Sequence, residues 1–585
     1  MSKHITLTFP PTGVSPTELP PEVLCKHAAG SLGIDPEKIL GIDPLHFSFD
    51  ARERHRVWKM KVEVWIDGED DFVPDPPVYT AAVIATPAKD ARHVVVIGSG
   101  PAGLFAAMDL LAAGLRVTVL ERGFNVQRRR KDLARVNRGG AVDGDSNYCH
   151  GEGGAGTYSD GKLYTRSGDK DAVHAILVRL VEHGAPAEIL TSWRPHIGSN
   201  RLPQVVTAMR GTIEAAGGQF LFGAKAMDLE TDGAADWRQV KAVRVLRRDS
   251  EGDATREETI VCDAVILATG HSALDSIEMV QRAGAKLESK GFAMGVRIEH
   301  PQAWLDDRQY GGLRDNNDLP ASFYQLVTER KGRGVYSFCM CPGGFMVAAS
   351  TGSDRVVMNG MSLSRRDSPY ANSGVVVAVE PEDLVGGKGM RWGASKLLRE
   401  AAEAGLDFGA TVTDERREHL SKGWLPDQVD EDPLLGVHIQ RALERLASVW
   451  GGGENRAPAQ RADHFAAGYG DTTKPFSSSY QPGLESADLA HLLPRGLSEK
   501  LRGSVKEFDR KLPGYGSEIG QVAGVETRTS SPVRVVRDRE TCESPTVAGL
   551  YPCGEGAGFA GGIISAALDG RRVAEALALR TSVAT

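Results

Sequence analysis

Two groups of residues stand out by type and spacing: one suited to binding a nucleotide, the other to reacting. Gly98, Gly100 and Gly103 spell G-x-G-x-x-G, and Glu121 follows 18 positions after Gly103. Glycines at that spacing allow a tight turn, close backbone approach to a pyrophosphate, and close packing of the next helix on the strand. The later acid can accept ribose hydroxyls, and it would repel a 2′-phosphate, which disfavours NADP here. The reactive group is sparser. Tyr158, Asp160 and Lys162 lie in one glycine-rich loop, where they either orient a substrate or anchor the loop. His150, just before them, is either a base near neutral pH or a structural residue. Cys339 and Cys341, at i and i+2 of an expected strand, point to one face, as reactive thiols or as inert packing. Glu526 and Arg528 share a face if extended, and either bind a polar group or pair with each other. Arg365 and Arg366 fit a carboxylate or a solvated surface.

The elements that must position these residues can be read around them. Val94 to Ile97 is an unbroken β-branched run bounded by glycine, as in a strand of a parallel sheet buried on both faces. Leu104 to Ala113 reads as a helix closed by Gly114, and Arg116 to Leu120 as the next strand. Strand, glycines, helix, strand and acid thus come in the order a dinucleotide site requires, and the helix N-terminus adds positive potential toward the pyrophosphate. Ser146 to Asp169 is too glycine-rich for a core helix, and its backbone can approach a planar ligand. Val261 to Gly270 is a further buried strand ending in a small-residue turn. In the tail a short strand precedes glycines at 554, 556, 561 and 562 and then a helix, repeating the opening motif. Parallel sheets bring distant strands together, so one nucleotide fold can use both ends of the chain.

Elsewhere, Pro21 to Leu32 has a helical pattern, and Phe47 to Asp50 and Trp58 to Ile66 alternate like strands. Asp171 to His183 and Leu202 to Ala216 are amphipathic helices, Gly291 to Glu380 is strand-rich, and 390–450 is helical. Gly451 to Pro475 reads as loop. The expected division is a small α+β module over 1–75, a proline-rich linker over 76–90, and a nucleotide domain over 91–290. A cap over 291–510, β-rich and then helical, follows, and the nucleotide domain returns over 511–585.

Bulk properties exclude several classes. The 585 residues carry a net charge of −8, with 41% hydrophobic and 25% charged residues, so nothing draws the chain generally to nucleic acid or membranes. The basic run Arg128-Arg129-Arg130-Lys131 reads as a solvated helix face or a phosphate contact. The N-terminus lacks an apolar targeting region and no window spans a bilayer. Seven scattered cysteines form no C-x-x-C pair, so no metal site is expected and a cytoplasmic, reduced protein is.

The opening motif, GEGGAGTYSDGKL, PHIGSNRLPQVV, VILATGHSALD, YSFCMCPGG, VMNGMSLSRRDSPYANS, GVETRTSSPVR and YPCGEGAGFAGGIISAALDG together resemble the bacterial family of uncharacterised FAD-dependent dehydrogenases. The resemblance covers nearly the whole chain, and FSFDARERHRVWKMKVEV matches that family's N-terminal module. It implies an α/β fold: a Rossmann-like FAD domain of glutathione-reductase type, related to p-hydroxybenzoate hydroxylase and the succinate dehydrogenase flavoprotein, with an inserted strand-rich substrate domain. It also implies non-covalent FAD. Gly98, Gly100, Gly103 and Glu121 would hold the ADP half, with Ser99, Pro101, Ala102 and Arg122 beside them. Gly153, Gly154, Ala155, Gly156 and Thr157 would run along the flavin. Thr269 and Gly270 would lie near the pyrophosphate, Gly554, Glu555, Gly562 and Ile563 near the ribityl chain and ring, and Ala226 near adenine. Ser199-Asn200 stands where relatives have Thr-Asp, which leaves no acid there.

A flavin supplies redox chemistry while the protein supplies position and electrostatics. The chain has no second strand–G-x-G-x-x-G–helix unit, so electrons are expected from an organic substrate, from a partner, or from NAD(P)H bound without its own Rossmann unit. The expected activity is hydride transfer, in the sense of a dehydrogenation, on a small organic molecule, with Tyr158, Asp160, Lys162, Cys339, Glu526 and Arg528 as candidate catalytic groups. The alternatives are hydroxylation through a C4a-hydroperoxide, flavin-dependent RNA modification and a non-catalytic FAD protein. The acidic balance argues against RNA.

Overall fold

In the computed structural model the described residues are 2–50, 56–69, 75, 77–234, 237–249, 254–313, 319–409, 412–468, 470 and 477–582. At the centre is a five-stranded parallel sheet in the order Leu550–Pro552, Ala264–Leu267, His93–Ile97, Arg116–Glu121 and Gln219–Phe222. Val95 pairs with Thr118 on one side and Val265 on the other, and Ile266 pairs with Tyr551. His93–Ile97 and Ala264–Leu267 are buried on both faces, which is why they read as continuous apolar runs rather than alternating. The helix Pro101–Ala112 packs on this sheet, and the helix Ile563–Ser582 packs on that helix. Their crossing is close: a side chain on Gly570 would overlap the backbone of Ala102.

The cap is built on a seven-stranded sheet ordered Val327–Arg330, Arg333–Cys341, Tyr370–Val379, Phe292–Pro301, Gln521–Glu526, Ala457–Arg461 and Leu484–Ser486. The helices Ala394–Glu403, Leu435–Trp450 and Arg495–Lys511 share its hydrophobic core. Two expectations change. The segment 451–475, expected as loop, contributes the strand Ala457–Arg461 and the helix Ala462–Ala467. APAQR has no apolar alternation to betray a strand, because both its faces are buried within the sheet. Gln521–Glu526 pairs with Phe292–Pro301, so cap structure continues past residue 510.

The N-terminal segment forms a three-stranded antiparallel sheet, Lys3–Phe9, Val57–Ile66 and Ile39–Asp50, with the helix Pro21–Leu32 beside it. Alternate residues Trp58, Met60, Val62 and Val64 are buried, as the period-two pattern requires. The sheet docks on the rest of the chain through Phe47, whose N–H donates to Thr191 O and whose carbonyl accepts from Trp193 N, and through Phe49 against Tyr310. Described residues 77–88 have no regular structure. Among the described residues no helix is long and apolar enough to cross a membrane.

Candidate functional site

The site forms where the two glycine motifs meet at the carboxyl ends of the central strands, the usual ligand position in open α/β sheets. Gly98 has φ +109°, and a side chain there would stand 2.6 Å from Ala268 O; one on Gly103 would overlap Gly98 O. Gly100 caps the helix Pro101–Ala112 without a side-chain hydrogen bond, and no acid lies in the first turn. That leaves the positive end of the helix to an external anion. The second glycine loop faces it, with the Cβ position of Gly154 only 3.3 Å from Gly100 Cα. Ala155, Gly270, Gly561 and Gly562 are exposed around this groove, and the Cβ position of Gly156 lies 3.3 Å from Ile563 Cγ1. Thr269 Oγ1 and Ser272 Oγ at its edge are buried without a hydrogen-bond partner among the described residues. An uncapped helix terminus, a cradle cleared of side chains and unpaired hydroxyls suit a dinucleotide.

The loop holding the cradle is shaped by a residue the sequence suggested was solvated. Arg129, from the helix Val126–Asn137, is fully buried. Its Nε donates to Asn147 O, its Nη2 to Tyr148 O, and its Nη1 to the carbonyls of Gly151, Glu152 and Gly154, at 2.8–3.2 Å. Arg130 and Lys131 are the exposed members of that basic run. Glu121 ties the two loops together. It accepts from Ser99 N and Oγ at one oxygen, and from Gly123 N and Gly151 N at the other. The carboxylate expected on the ribose is therefore already bonded to four protein donors. Ser99 turns its hydroxyl to Glu121, and Thr157 donates its own to Glu152 O. Arg122, expected beside the cofactor, instead forms forked hydrogen bonds to Asp145 and Asp275, and Lys225 joins them. Ala226 is buried next to a bulge in the strand Ala224–Ala234. In the tail, Gly554 N donates to Asp569, which pairs with Arg537, and Glu555 lies 3.3 Å from His271 Nδ1.

A cavity of about 30 Å³ opens beside the cradle, lined by Ala155, Tyr158, His271, Asn359, Gly360 and Arg528 among others. The Tyr158 hydroxyl donates to Val126 O, so Tyr158 anchors the loop while its ring faces this space. Arg528 does not pair with Glu526. It forms a two-pronged ion pair with buried Glu444, a partner no local pattern revealed, and Arg528 holds the Glu444 carboxyl below its usual range against the effect of burial. Burial drives His150 down to about 3, so it is neutral at physiological pH; its Nδ1 meets Gly144 O. The base role considered for it has no support from this environment.

Behind Gly360 lies a buried charged cluster. Arg297 donates to Glu526 at 2.7 and 2.9 Å, to Asn372 at 2.8 Å and to Cys339 O at 2.9 Å. A side chain on Gly360 would overlap the guanidinium, so Gly360 is needed for Arg297 to fit. Burial outweighs the ion pair at Glu526 and raises its carboxyl to about 7. Asp160 bonds to Arg366 and Ser362 and lies 3.2 Å from Lys162, and these cations hold it below the usual range. Arg366 therefore serves a carboxylate within the protein. Lys162 Nζ is 3.8 Å from Cys339 Sγ and 3.5 Å from Cys341 Sγ. The two thiols converge as expected, but by another route: the register shifts between Phe338 and Cys341, with Cys339 at φ +45°. Asp160, Lys162, Cys339 and Glu526 thus come together, while Tyr158 and Arg528 lie on the cavity. Arg297, absent from the sequence reading, joins the group; its one signal is a lone cation in the apolar strand FAMGVRIE.

Residues 93–134 match the FAD binding domain, and residues 291–413 and 393–529 match the family described as FAD-dependent protein, C-terminal domain-like. A protein of Clostridium beijerinckii, described as uncharacterized, is 36% identical over 568 residues, covering 94% of this chain and 95% of that one. The chain belongs to this family of FAD-dependent proteins, an FAD-binding flavoenzyme family, and its cofactor is FAD. Solved structures similar to it include a geranylgeranyl bacteriochlorophyll reductase-like protein of Thermoplasma acidophilum (10% identity, 84% of this chain and 79% of that one, TM-score 0.33). CtdE in complex with FAD is 13% identical over 49% of this chain and 59% of its own, with TM-score 0.22.

Proposed function

We propose that the protein is an FAD-dependent oxidoreductase that transfers a hydride, in the sense of a dehydrogenation, between FAD and a small polar organic substrate. The observation that carries this reading is the cavity at Ala155, where the glycine cradle meets His271, Gly360 and Arg528 of otherwise separate elements. FAD, when bound, supplies the two-electron chemistry. Gly98 to Gly103 and Gly153 to Thr157 would hold it non-covalently, with Thr269, Gly270, Gly554, Glu555, Gly562 and Ile563 across the groove and Ala226 toward the adenine. The open end of the helix at Gly100 attracts the diphosphate. Arg528, fixed by Glu444, is the cavity's cation and would bind a polar or anionic group of the substrate. His271 is placed to hold or accept the proton that leaves with a hydride, and its neighbour Glu555 would orient the ring.

The test is anaerobic reduction of purified holoprotein by NADH, NADPH and a panel of small metabolites, followed at the flavin absorbance band. Rapid bleaching by an organic metabolite is the expected result. Bleaching by a reduced nicotinamide alone would make the organic molecule the acceptor. A flavin that none of these reduces would overturn the reading.

A further inference from the structure

The buried cluster around Lys162 does not balance its charge with carboxylates. Its cations are Lys162, Arg297 and Arg366, and its carboxylates are Asp160 and Glu526. Arg194 adds a fourth cation near Arg366, stacked on Phe323. Of the other titratable groups facing the cluster, His196 is pushed down to about 4 and is neutral, and burial holds Tyr164 and Tyr324 in their phenol forms. Glu299, beyond Arg297, bonds to Ser478 and Ser479, and burial shifts it toward its protonated form. Excess positive charge largely withdrawn from bulk water favours an anion beside it.

We propose that Cys339 and Cys341 supply that anion as a thiol–thiolate pair, with Cys339 as a resident thiolate that takes soft carbon electrophiles. The geometry distinguishes the two sulfurs. Cys341 Sγ lies 3.2 Å from Cys339 O, to which its S–H donates. Lys162 Nζ lies 3.8 Å from Cys339 Sγ and 3.5 Å from Cys341 Sγ, and Arg297 Nη2 lies 3.7 Å from Cys341 Sγ, so both sulfurs face the cations and it is Cys341 whose S–H a carbonyl accepts. The left-handed backbone at Cys339 (φ +45°) is a conformation L-residues rarely adopt, and it turns both sulfurs toward the ammonium instead of to opposite sides of a bulged strand. The hydrogen bond with Cys341 first, and then the charges of Lys162 and Arg297, hold the Cys339 thiol well below its ordinary range, while the same partnership and burial hold Cys341 well above. Cys341 is sealed, whereas Cys339 is only half-buried. Next to it in sequence, Phe338 helps wall a cleft of about 840 Å³ with Tyr164, Arg194 and Phe559. An electrophile entering there would react by S–C bond formation, its leaving group departing with the bonding pair. No oxidant is consumed, and Lys162 keeps its proton. This inference stands apart from the proposed hydride transfer, because it concerns the thiol pair whatever the flavin reduces.

The test is alkylation of holoprotein by limiting iodoacetamide from pH 5 to 9, with the modified cysteine found by peptide mass spectrometry. In this probe reaction Cys339 Sγ displaces iodide. Cys339 is expected to be labelled first, at a rate nearly constant from pH 6 to 8. An ordinary thiol of pKa about 8.5 gains roughly tenfold per pH unit over most of that range. In Lys162→Met the midpoint of the profile should rise, and Lys162→Arg should restore it. A wild-type Cys339 rate that climbs like an ordinary thiol's overturns the proposal. So does labelling of another cysteine ahead of it, or a Lys162→Met profile that coincides with wild type. The wild-type profile alone decides the matter if the Met variant does not fold.

Discussion

Replacing Arg129 with lysine separates charge from hydrogen bonding at the cradle. A guanidinium carries five N–H donors and an ammonium three. Five carbonyl oxygens lie within 2.8–3.2 Å of Arg129, and the residue is fully buried. Arg129→Lys preserves the positive charge near Glu121 and Glu152 but leaves at least two carbonyls without a donor. Each buried orphan costs about 1–3 kcal/mol, so the loss is about 2–6 kcal/mol. Those carbonyls belong to Asn147 through Gly154, the loop facing Gly100, so the loss should also weaken FAD retention. Urea unfolding followed by circular dichroism gives the first quantity, and FAD dissociation followed by flavin fluorescence the second. If both match wild type within about 0.5 kcal/mol, the loop is organised by something other than this arginine.

Three further outcomes follow from buried charges. Arg297→Met strands Glu526 and should cost about 3–5 kcal/mol at pH 8. Because the native Glu526 carboxyl is raised to about 7, its protonated form contributes stability that is complete below the ordinary carboxylate range and lost as pH rises through 7. The penalty should therefore shrink at pH 5, and equal shifts in urea midpoint at the two pH values would refute this account. Glu121→Gln places an amide N–H₂ against backbone donors of Ser99, Gly123 or Gly151, with an expected loss of about 1–3 kcal/mol and a parallel loss of FAD. Finally, His150 is held down to about 3 and His196, His300 and His438 to about 4 by burial. The stability each contributes is present above about pH 6.5 and is lost as pH falls toward 4. A His438→Leu variant should lose less stability than wild type between pH 7 and pH 4, by about 3 kcal/mol, in urea titrations.

What could be read from the sequence was local. The turn at Gly98 to Gly103 is written within a few residues, because strand, glycine and helix each leave a pattern of fixed period. The tail motif was legible for the same reason, and the two could be joined because parallel sheets allow distant neighbours. Side-chain partnerships were not legible. Arg297 meets Glu526 from 229 positions away, Arg528 meets Glu444 from 84, and Asp160 meets Arg366 from 206. No spacing rule connects them, so proximity in sequence offers Glu526 only Arg528 as an ion-pair partner, beside the alternative that both bind a polar group. A basic run reads as a solvated face or a phosphate contact, and only the fold turns Arg129 inward. The cysteines converge without ideal strand geometry: a regular pleat would put i and i+2 on the same face, and here a register shift with one left-handed residue does so instead.

The order of strands in the central sheet bears on how the protein is made. Ala264–Leu267 lies between His93–Ile97 and Leu550–Pro552, so during synthesis on the ribosome it remains an apolar edge until residue 550 has emerged. The helix that packs against Pro101–Ala112 arrives later still. A nascent chain must keep that edge from pairing with its neighbours while the whole cap folds. If FAD is held by both glycine motifs as proposed, it can be captured firmly only after the strand Leu550–Pro552 and the helix behind it have emerged, which would make coenzyme loading a late step in folding.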